Sequence, residues 1–210
     1  MRYNFIAIEG NIGAGKSTLA TRIAKDYNAK LILEQFEENS FLPKFYKNPD
    51  KYAFPLELSF LAERYQQYKE QMSIELFTDF TIADYFIGKS LIFSRKTLQD
   101  DEYALYSNLF RIISSSLPKP ELMIYLYLSI DNLKKNISKR GRDYELDITD
   151  EYLNNIQNSY MEFINQQKDM RILIIDTNNI DFVENEEDYE KLIDVILNRD
   201  YTKGVHRITL

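Results

Sequence analysis

The chain has 210 residues, of which 44% are hydrophobic and 28% charged, and its 26 basic and 33 acidic residues give a formal net charge of −7. Because there is no cysteine and only one histidine, disulfides, thiolate metal sites, a cysteine nucleophile, zinc chemistry and a Ser-His-Asp triad are all disfavoured. An acidic chain with a pI near 4.9 has no global attraction for nucleic acid or an anionic membrane, so we expect neither as a partner.

Short apolar segments alternate with longer segments of helical periodicity. The predicted strands are rich in Ile, Leu, Phe or Tyr and span residues 3–9, 30–34, 78–84, 122–129 and 171–176. The predicted helices cover residues 16–27, 55–72, 101–116, 130–139, 149–168 and 186–198, with Pro55 expected in a first turn. This alternation predicts an α/β fold in which a five-stranded parallel sheet carries helices on both faces.

The two ends of the chain carry simple signals. The N-terminus leads directly into a strand pattern instead of a signal peptide, and no segment has the roughly 20 consecutive apolar residues that a membrane helix needs. Residues 201–210 show no clear period. We therefore expect a single cytoplasmic domain over residues 1–210, with a flexible tail at 201–210.

Residues 10–17 read GNIGAGKS, which fits the phosphate-binding pattern G-x-x-x-x-G-K-[ST] between a predicted strand and a predicted helix. Half of the six glycines lie here, where backbone amides must approach oxyanions closely. We expect Lys16 to contact the outer phosphates of ATP and Ser17 to hold Mg²⁺. The nucleotide-binding residues predicted in this loop are Gly10, Asn11, Ile12, Gly13, Ala14, Gly15, Lys16, Ser17 and Thr18.

Two acidic residues, Glu34 and Asp84, each end a predicted strand. Ligands of open parallel sheets bind at the carboxyl ends of the strands, although an acid there can also be a simple turn residue. In a P-loop protein one such carboxylate can accept the proton of an attacking hydroxyl, and another can hold Mg²⁺ through water. Glu34 suits the first role and Asp84 the second, and the two roles can be exchanged.

The acceptor is expected to be uncharged. The segment EQFEEN that starts at Glu34 lacks the arginine cluster that a phosphorylated acceptor would need, which argues against a nucleoside monophosphate kinase. The chain also has no N-K-x-D motif, which argues against a Ras-type GTPase.

Two further patterns have both structural and functional interpretations. Glu57, Leu61, Arg64 and Tyr68 share one face of a predicted helix, where Glu57 and Arg64 form either a structural ion pair or a pair that reads a base and orients Glu34. Residues 135–145 read KNISKRGRDYE, which is either a basic helix end or a lid that carries arginines over the transferring phosphoryl group.

Together these residues resemble the deoxyribonucleoside kinase family, in particular its bacterial deoxyguanosine and deoxyadenosine kinase type. The resemblance covers nearly the whole chain through GNIGAGKST, Glu34, ENSFLPKFY, YAFPLELSFLAERYQQ, Asp84, LPKPELMIYL, KRGRDYE and DTNNIDF. It implies a P-loop kinase with an arginine-bearing lid at about residues 135–147. It further implies transfer of the γ-phosphoryl group of ATP to the 5′-hydroxyl of a purine deoxynucleoside, and a homodimer.

The resemblance also implies roles at matched positions. Glu34 would act as the base at the 5′-hydroxyl, although some descriptions of the family assign this role to the acid at Asp84. Tyr46 and Glu145 would hold the 3′-hydroxyl, with Tyr46 crowding the 2′ position of ribose, and Phe93 would stack on the base. The lid arginines Arg140 and Arg142 also match, as does the loop at 177–182 against the adenine of ATP, with Asn178 and Asn179. Arg64, Lys89 and Ser90 are further substrate-binding candidates.

Three positions depart from the family pattern. Tyr85 follows Asp84 where an arginine is common, so a cation near the 5′-oxygen is missing or is supplied from elsewhere. Asn136 replaces an arginine at the start of the lid, and we keep both Tyr85 and Asn136 among the expected ligand contacts. Glu57 stands where many relatives have glutamine.

The Glu57 departure bears on the base. An ionised carboxylate only accepts hydrogen bonds, and guanine presents two adjacent donors, whereas a glutamine amide suits adenine or cytosine. Lys89 or Arg64 would then donate to guanine O6. The sequence therefore predicts a deoxyguanosine preference, with a deoxyadenosine/deoxycytidine kinase or a non-catalytic nucleotide-binding regulator as the alternatives.

Overall fold

The computed structural model describes residues 2–35, 39–71, 77–145 and 147–210. The strands are β1 (Phe5–Gly10), β2 (Ala29–Ile32), β3 (Phe80–Ala83), β4 (Leu122–Tyr127), β5 (Arg171–Asp176) and β6 (Gly204–Thr209). The α-helices are α1 (Lys16–Asp26), α2 (Leu42–Lys47), α3 (Pro49–Gln71), α4 (Lys89–Thr97), α5 (Asp100–Ser114), α6 (Ile130–Arg140), α7 (Asp150–Gln166) and α8 (Glu186–Leu197). The strands form one parallel sheet in the order β2-β3-β1-β4-β5-β6.

The central strand β1 shows why helices cover both faces. All six of its residues are buried. Ile6 and Ile8 pack in a cluster with residues of α1, α6 and α8, whereas Ala7 packs in a second cluster with residues of α3, α4, α5 and α7. Because successive side chains of a strand point to opposite faces, this division confirms the predicted sheet with helices on both sides.

The sheet has six strands, so the prediction of five strands and of a flexible tail at 201–210 is wrong. β6 pairs with β5 in parallel from Gly204 opposite Arg171 to Thr209 opposite Asp176. The segment shows no clear period because β6 is an edge strand whose residues are half-buried or exposed. Its order comes from the backbone ladder and from Ile208 and Leu210, which pack against the core.

The expectation that Pro55 begins a helix is also wrong. α3 begins at Pro49, where Asn48 Oδ1 accepts a hydrogen bond from Lys51 N at 3.4 Å, and Pro55 lies inside the helix. The rule that favours proline in a first turn holds, but for the earlier proline. The predicted end at Met72 lies outside the described residues.

Two short helices were not predicted, and both supply residues to the site described below. α2 contains Tyr46, and α4 contains Lys89, Ser90 and Phe93. Among the described residues, no helix is long and apolar enough to cross a membrane.

Candidate active site

The phosphate-binding loop connects β1 to α1. Gly13 and Gly15 have φ values of 83° and 86°, which favour glycine, and α1 begins immediately after Gly15. A Cβ at Gly13 would lie 2.8 Å from the carbonyl oxygen of Leu133, and one at Gly15 would lie 2.8 Å from the Phe182 ring. The loop therefore has the backbone shape of an anion-binding helix N-terminus, and α6 and Phe182 pack directly against it.

Side chains hold the loop in place. The buried Asn11 donates from Nδ2 to the carbonyl of Leu153 at 2.8 Å, and its Oδ1 accepts from Ile12 N at 2.8 Å. Asn136 donates to the carbonyl of Gly13 at 2.8 Å. Asn136 thus contacts the loop itself, which gives the residue at the start of the predicted lid a supporting position.

Lys16 projects from the first residue of α1 and donates from Nζ to the carbonyl of Asn11 at 2.9 Å. Burial and the neighbouring charge of Lys89 lower its pKa to about 8, against the opposing effect of the nearby carboxylates. An anion that enters the loop favours the charged form of Lys16 and so raises its pKa again.

Glu34 follows β2 by two residues and is held by two cations. Arg64 on α3 donates to Glu34 Oε1 from Nε at 2.8 Å and from Nη2 at 2.7 Å, and Lys89 Nζ on α4 contacts Oε2. Burial opposes the charge of this carboxylate, but the charges and hydrogen bonds of Lys89 and Arg64 outweigh it and lower the pKa of Glu34 to about 2. Glu34 is therefore ionised and fixed in orientation.

Asp84 follows β3 and connects Glu34 to the phosphate loop. Its Oδ1 accepts from Glu34 N at 2.7 Å, and its Oδ2 contacts the Ser17 hydroxyl. Within the described residues no cluster of three or more His, Asp or Glu is placed to hold a metal ion. The Ser17–Asp84 pair nevertheless has the hard oxygen atoms that suit Mg²⁺ bound mainly by phosphates and water.

A cavity of about 270 Å³, here called the main cavity, opens beside the loop. It is lined by Ile12, Gly13, Gly15, Lys16, Ser17, Thr18, Glu34, Leu42, Phe45, Tyr46, Leu56, Glu57, Phe60, Arg64, Asp84, Lys89, Phe93, Arg140, Arg142, Glu145 and Tyr152. Charged side chains reach this cavity from the loop, the strand ends, α3, α4 and the predicted lid, while aromatic and aliphatic side chains from α2, α3, α4 and α7 supply much of the remaining wall.

The helices α3 and α4 run antiparallel past the main cavity. Arg64 in the second half of α3 and Lys89 at the start of α4 both contact Glu34. Glu57 lies seven residues before Arg64 on α3, and it contacts Thr97, which lies eight residues after Lys89 on α4. At 1.5 Å per residue these separations are about 10 to 12 Å. We name the two ends after the roles proposed below, the phosphoryl end at Glu34 and the base end at Glu57.

Glu57 is 3% exposed, and its two carboxylate oxygens differ. Oε1 accepts from the Thr97 hydroxyl at 2.9 Å, whereas Oε2 has no hydrogen-bond partner among the described residues. Burial raises the pKa of Glu57 to about 7, although Arg64, Thr97 and Lys89 favour the ionised form. Arg64 forms its ion pair with Glu34, so the interpretation of Glu57 and Arg64 as a structural ion pair is wrong, whereas the alternative contact of Arg64 with Glu34 forms.

The predicted lid meets the main cavity through its charged residues. α6 ends at Arg140, and Gly141 follows in the left-handed conformation with a φ of 69°. Glu145 is 5% exposed and contacts Arg140 Nη2, while Arg142 lies 3.5 Å from its other carboxylate oxygen. The structure thus brings both lid arginines, Glu145 and Tyr46 to the wall of one cavity.

A second cavity of about 520 Å³, called the donor cavity after the role proposed below, also borders the loop, since Gly13, Gly15 and Thr18 line both cavities. Asn136, Arg140 and Asn178 line it, whereas Asn179 is exposed. Asn178 Oδ1 accepts from Ser129 N at 2.9 Å and from Asn132 Nδ2 at 3.1 Å, so its amide fixes the wall of the cavity.

Some predicted ligand residues lie behind the site. Tyr85 is completely buried and donates its hydroxyl to Gln67 Oε1 at 2.6 Å, so the structure does not place it at the main cavity. Its core position leaves Arg64 and Lys89, the latter four residues further along the chain, as the cations beside Glu34. Ser90 is also buried and accepts from Arg64 Nη1 at 2.7 Å, which makes it a support for Arg64.

Sequence reasoning missed Thr97. Lys89, Phe93 and Thr97 are spaced at i, i+4 and i+8 on one face of α4, and the first two line the main cavity. The spacing is visible in the sequence, but it predicts a shared face only if residues 89–97 form a helix, and that helix was not predicted. Gln67 was missed as well, since its contact with the carbonyl of Leu33 joins elements far apart in the chain.

Comparisons with known proteins agree with this geometry. Residues 6–199 match the family model described as deoxynucleoside kinase. The chain is 37% identical to a deoxyguanosine kinase of Bacillus subtilis over 90% of its own length and 93% of the relative's. It is 36% identical to a deoxyadenosine kinase of Dictyostelium discoideum over 87% of its length and 75% of that relative's.

A solved structure is similar as well. The structure of deoxyadenosine kinase from M. mycoides with bound dATP superimposes with a TM-score of 0.80 at 26% identity, covering 91% of this chain and 98% of that one. A P-loop at the end of β1, a carboxylate held by two cations and a match of sequence and fold over about 90% of the chain lead to one conclusion: the chain belongs to the deoxynucleoside kinase family.

Proposed function

We propose that this deoxynucleoside kinase transfers the γ-phosphoryl group of ATP to the 5′-hydroxyl of a purine deoxynucleoside, with deoxyguanosine preferred, as a step of cytoplasmic nucleotide salvage. The observation that carries the proposal is the main cavity, which is lined by Glu34, by Arg64 that holds Glu34, and by Glu57, about 10 Å from Arg64 along α3. A nucleoside can span this distance with its 5′-hydroxyl at one end and its base at the other.

The donor side follows from the loop. The backbone amides of residues 10–17 and the Lys16 ammonium bind the phosphates of ATP, and the donor cavity takes its base and sugar. Ser17 and Asp84 would hold Mg²⁺, which neutralises the charge that develops on the phosphoryl oxygens. Arg140 and Arg142, in a lid at residues 135–147, bring further positive charge to the same oxygens.

On the acceptor side, Glu34 accepts a hydrogen bond from the 5′-hydroxyl and aims its oxygen at the phosphoryl group. Because Lys89 and Arg64 lower the pKa of Glu34 to about 2, this carboxylate is a weak base. Phosphoryl transfer through a loose transition state suits it, since the hydroxyl gives up its proton only after the bond to the leaving group has largely broken. Glu34 therefore acts mainly by orientation, and Asp84 belongs to the metal side.

The base end supports a purine with two adjacent donors. Ionised Glu57 accepts from guanine N1–H and from the 2-amino group, while the Phe93 ring stacks on the base. Tyr46 and Glu145 line the same cavity and hold the 3′-hydroxyl, and Tyr46 crowds a ribose 2′-hydroxyl. A deoxyadenosine preference is the second candidate, because burial keeps part of the Glu57 population protonated near neutral pH.

The experiment is a comparison of nucleosides at fixed Mg-ATP, in which kcat/KM is measured for deoxyguanosine, deoxyadenosine, deoxycytidine, thymidine and guanosine at about pH 8. We expect deoxyguanosine to give the highest value and guanosine a much lower one. A higher value for deoxyadenosine or deoxycytidine contradicts the proposed base preference. No monophosphate from any nucleoside would favour the non-catalytic regulator.

We also propose that two copies of the chain associate through α3 and α5. Leu58 on α3 and Leu105 and Ile112 on α5 are 37%, 54% and 73% exposed, although they are large and apolar. Light scattering at micromolar concentration is expected to give twice the chain mass of 25.0 kDa. Leu105→Asp should then halve the measured mass, and a monomeric wild-type protein would contradict the proposal.

A further inference from the structure

The base end contains a carboxyl group that is equipped for two protonation states. Glu57 lines the main cavity, and its Oε2 is buried and has no hydrogen-bond partner among the residues that the structure describes. An ionised oxygen in this position is costly unless a ligand donates to it, whereas a protonated one becomes a donor that needs an acceptor. Each state therefore asks for a different ligand.

Thr97 can keep its hydrogen bond to Glu57 in both protonation states. Its hydroxyl lies 2.9 Å from Glu57 Oε1 and 3.1 Å from the carbonyl oxygen of Phe93. A hydroxyl has one proton, so it donates either to the carboxylate or to the carbonyl. When Glu57 is protonated on Oε2, its Oε1 still accepts from the Thr97 hydroxyl, so this contact survives the change of state and the acid proton on Oε2 stays free for a ligand.

The two states match two purines. The carboxylate offers two acceptors, which suit the N1–H and 2-amino donors of guanine. The acid offers one donor and one acceptor, which suit the N1 acceptor and 6-amino donor of adenine. We propose that the protonation state of Glu57 selects the base, so that the enzyme has a second activity as a deoxyadenosine kinase that replaces the deoxyguanosine activity as the pH falls. This inference rests on the proposed function.

Among the groups that face Glu57, only Glu57 itself is expected to change charge between about pH 6 and about pH 8. Those that face it from neighbouring elements are Arg64, Lys89, Thr97, Glu34, Tyr106 and Tyr152. The pKa of Glu34 lies near 2, and burial raises the pKa of the hydroxyls of Tyr106 and Tyr152 above the ordinary value. Burial, partly offset by Arg64 and Thr97, brings the pKa of Glu57 to about 7, within the range in which the enzyme can be assayed.

The test is a competition between deoxyguanosine and deoxyadenosine in one reaction with Mg-ATP, from about pH 6 to about pH 8. The ratio of dGMP to dAMP formed early gives the ratio of the two kcat/KM values, so the ionisation of Lys16, ATP and the lid cancels. If each state of Glu57 takes one base, the ratio rises about tenfold per pH unit, or about 100-fold over the range, whatever the pKa. Neither base titrates in this range.

Variants identify the group. Glu57→Gln is expected to give a ratio that favours dAMP and does not change with pH. Thr97→Val removes a donor to the carboxylate and should lower the dGMP:dAMP ratio about 10- to 100-fold at every pH, since hydrogen bonds to charged groups are worth this much. Thr97→Ser keeps the hydroxyl and should restore the wild-type ratio, which a purely structural role of Thr97 would not predict.

The outcomes separate this inference from the proposed function. If dGMP exceeds dAMP by the same factor at every pH, the proposed function stands and the selection by Glu57 is overturned. A ratio that still rises tenfold per pH unit in Glu57→Gln also overturns it. If no dGMP forms at any pH, the proposed deoxyguanosine preference fails, and the inference fails with it.

Discussion

The pKa of a carboxyl group is shifted in opposite directions at the phosphoryl end and at the base end of the main cavity. The side chain of Glu34 is 9% exposed, and cations contact both of its oxygens, so its pKa falls to about 2. Glu57 is 3% exposed and has a neutral donor on one oxygen, so burial raises its pKa to about 7. Burial is alike at the two sites, and the partners decide the charge.

This difference separates two tasks. In the proposed function the charge at the phosphoryl end is permanent, because the carboxylate of Glu34 orients a hydroxyl toward a triphosphate. At the base end, in the same proposal, the ligand completes the hydrogen bonds of Glu57, so the preferred protonation state depends on which base is bound. The following changes break or sharpen that division, from the largest expected effect to the smallest.

Glu34→Gln should have the largest effect on catalysis. The amide keeps the shape of the side chain but loses the charge that Arg64 and Lys89 hold, so we expect kcat to fall by about 10² to 10⁴. Steady-state assays with saturating Mg-ATP and deoxyguanosine measure it. Glu70→Gln, an exposed position on α3, is the matched control and should retain wild-type activity. A kcat within threefold of wild type for Glu34→Gln would remove Glu34 from the reaction.

Glu57→Gln should stabilise the substrate-free protein, although it changes a functional residue. Burial raises the pKa of Glu57 from 4.5 to about 7, so the folded protein binds this proton more tightly than the unfolded chain does. The resulting contribution to the free energy of unfolding is fully present below pH 4.5 and is lost as the pH rises through about 7. The variant should therefore exceed wild type by about 3 kcal/mol at about pH 8, or about 6 to 12 °C in Tm, and match it near pH 4.

Thermal unfolding of both proteins across this range measures the difference. Glu70→Gln should show no such gain, because its carboxylate is exposed. An equal stability of Glu57→Gln and wild type at high pH would mean that Glu57 is not held in an unfavourable charged state.

Lys89→Met tests which end Lys89 serves. Its ammonium contacts Glu34, so loss of this contact should lower kcat/KM about 10- to 100-fold for deoxyguanosine and deoxyadenosine alike. The same substitution should raise the pKa of Glu34, so an acid limb of the rate profile should move to higher pH. A loss confined to deoxyguanosine would instead assign Lys89 to guanine O6, and Lys96→Met on the same helix provides the control.

Tyr85→Phe should have the smallest effect. It removes one buried hydrogen bond to Gln67, which costs about 1 kcal/mol of folding stability, and kcat/KM should stay within about threefold of wild type. Tyr68→Phe in the same cluster is a matched comparison, because its hydroxyl contacts the backbone of Tyr85 at 3.2 Å. A large loss of activity in Tyr85→Phe alone would give Tyr85 a role toward the substrate that its position does not suggest.

Much of the phosphoryl end could be predicted from the sequence. The loop motif, its flanking strand and helix, and the two acids that follow β2 and β3 are local features, and in a parallel sheet the carboxyl ends of neighbouring strands meet. The helical spacing of Glu57 and Arg64 placed both on one face of α3. It left two partners open for Arg64, an ion pair with Glu57 or a contact that orients Glu34, and the structure shows the contact with Glu34.

Two expectations, the position of Tyr85 and the tail at residues 201–210, were wrong. Tyr85 was expected near the ligand because it follows Asp84, but neighbouring residues after a strand point in different directions, and a large aromatic side chain gains most by burial. β6 was expected to be a tail because an edge strand with one ladder partner needs no strong hydrophobic pattern. Both errors came from contacts that lie outside the local window.

The sequence by itself determined the phosphate loop, the alternation of strands and helices and the identity of the two strand-end acids, because each depends on spacings within about ten residues. The tertiary structure decided the charge states of Glu34 and Glu57, the position of Lys89 and the role of Thr97. These depend on which side chains, 30 to 60 residues apart in some pairs, share one buried cavity. A pKa is set by burial and partners together, and only the folded chain brings them to one place.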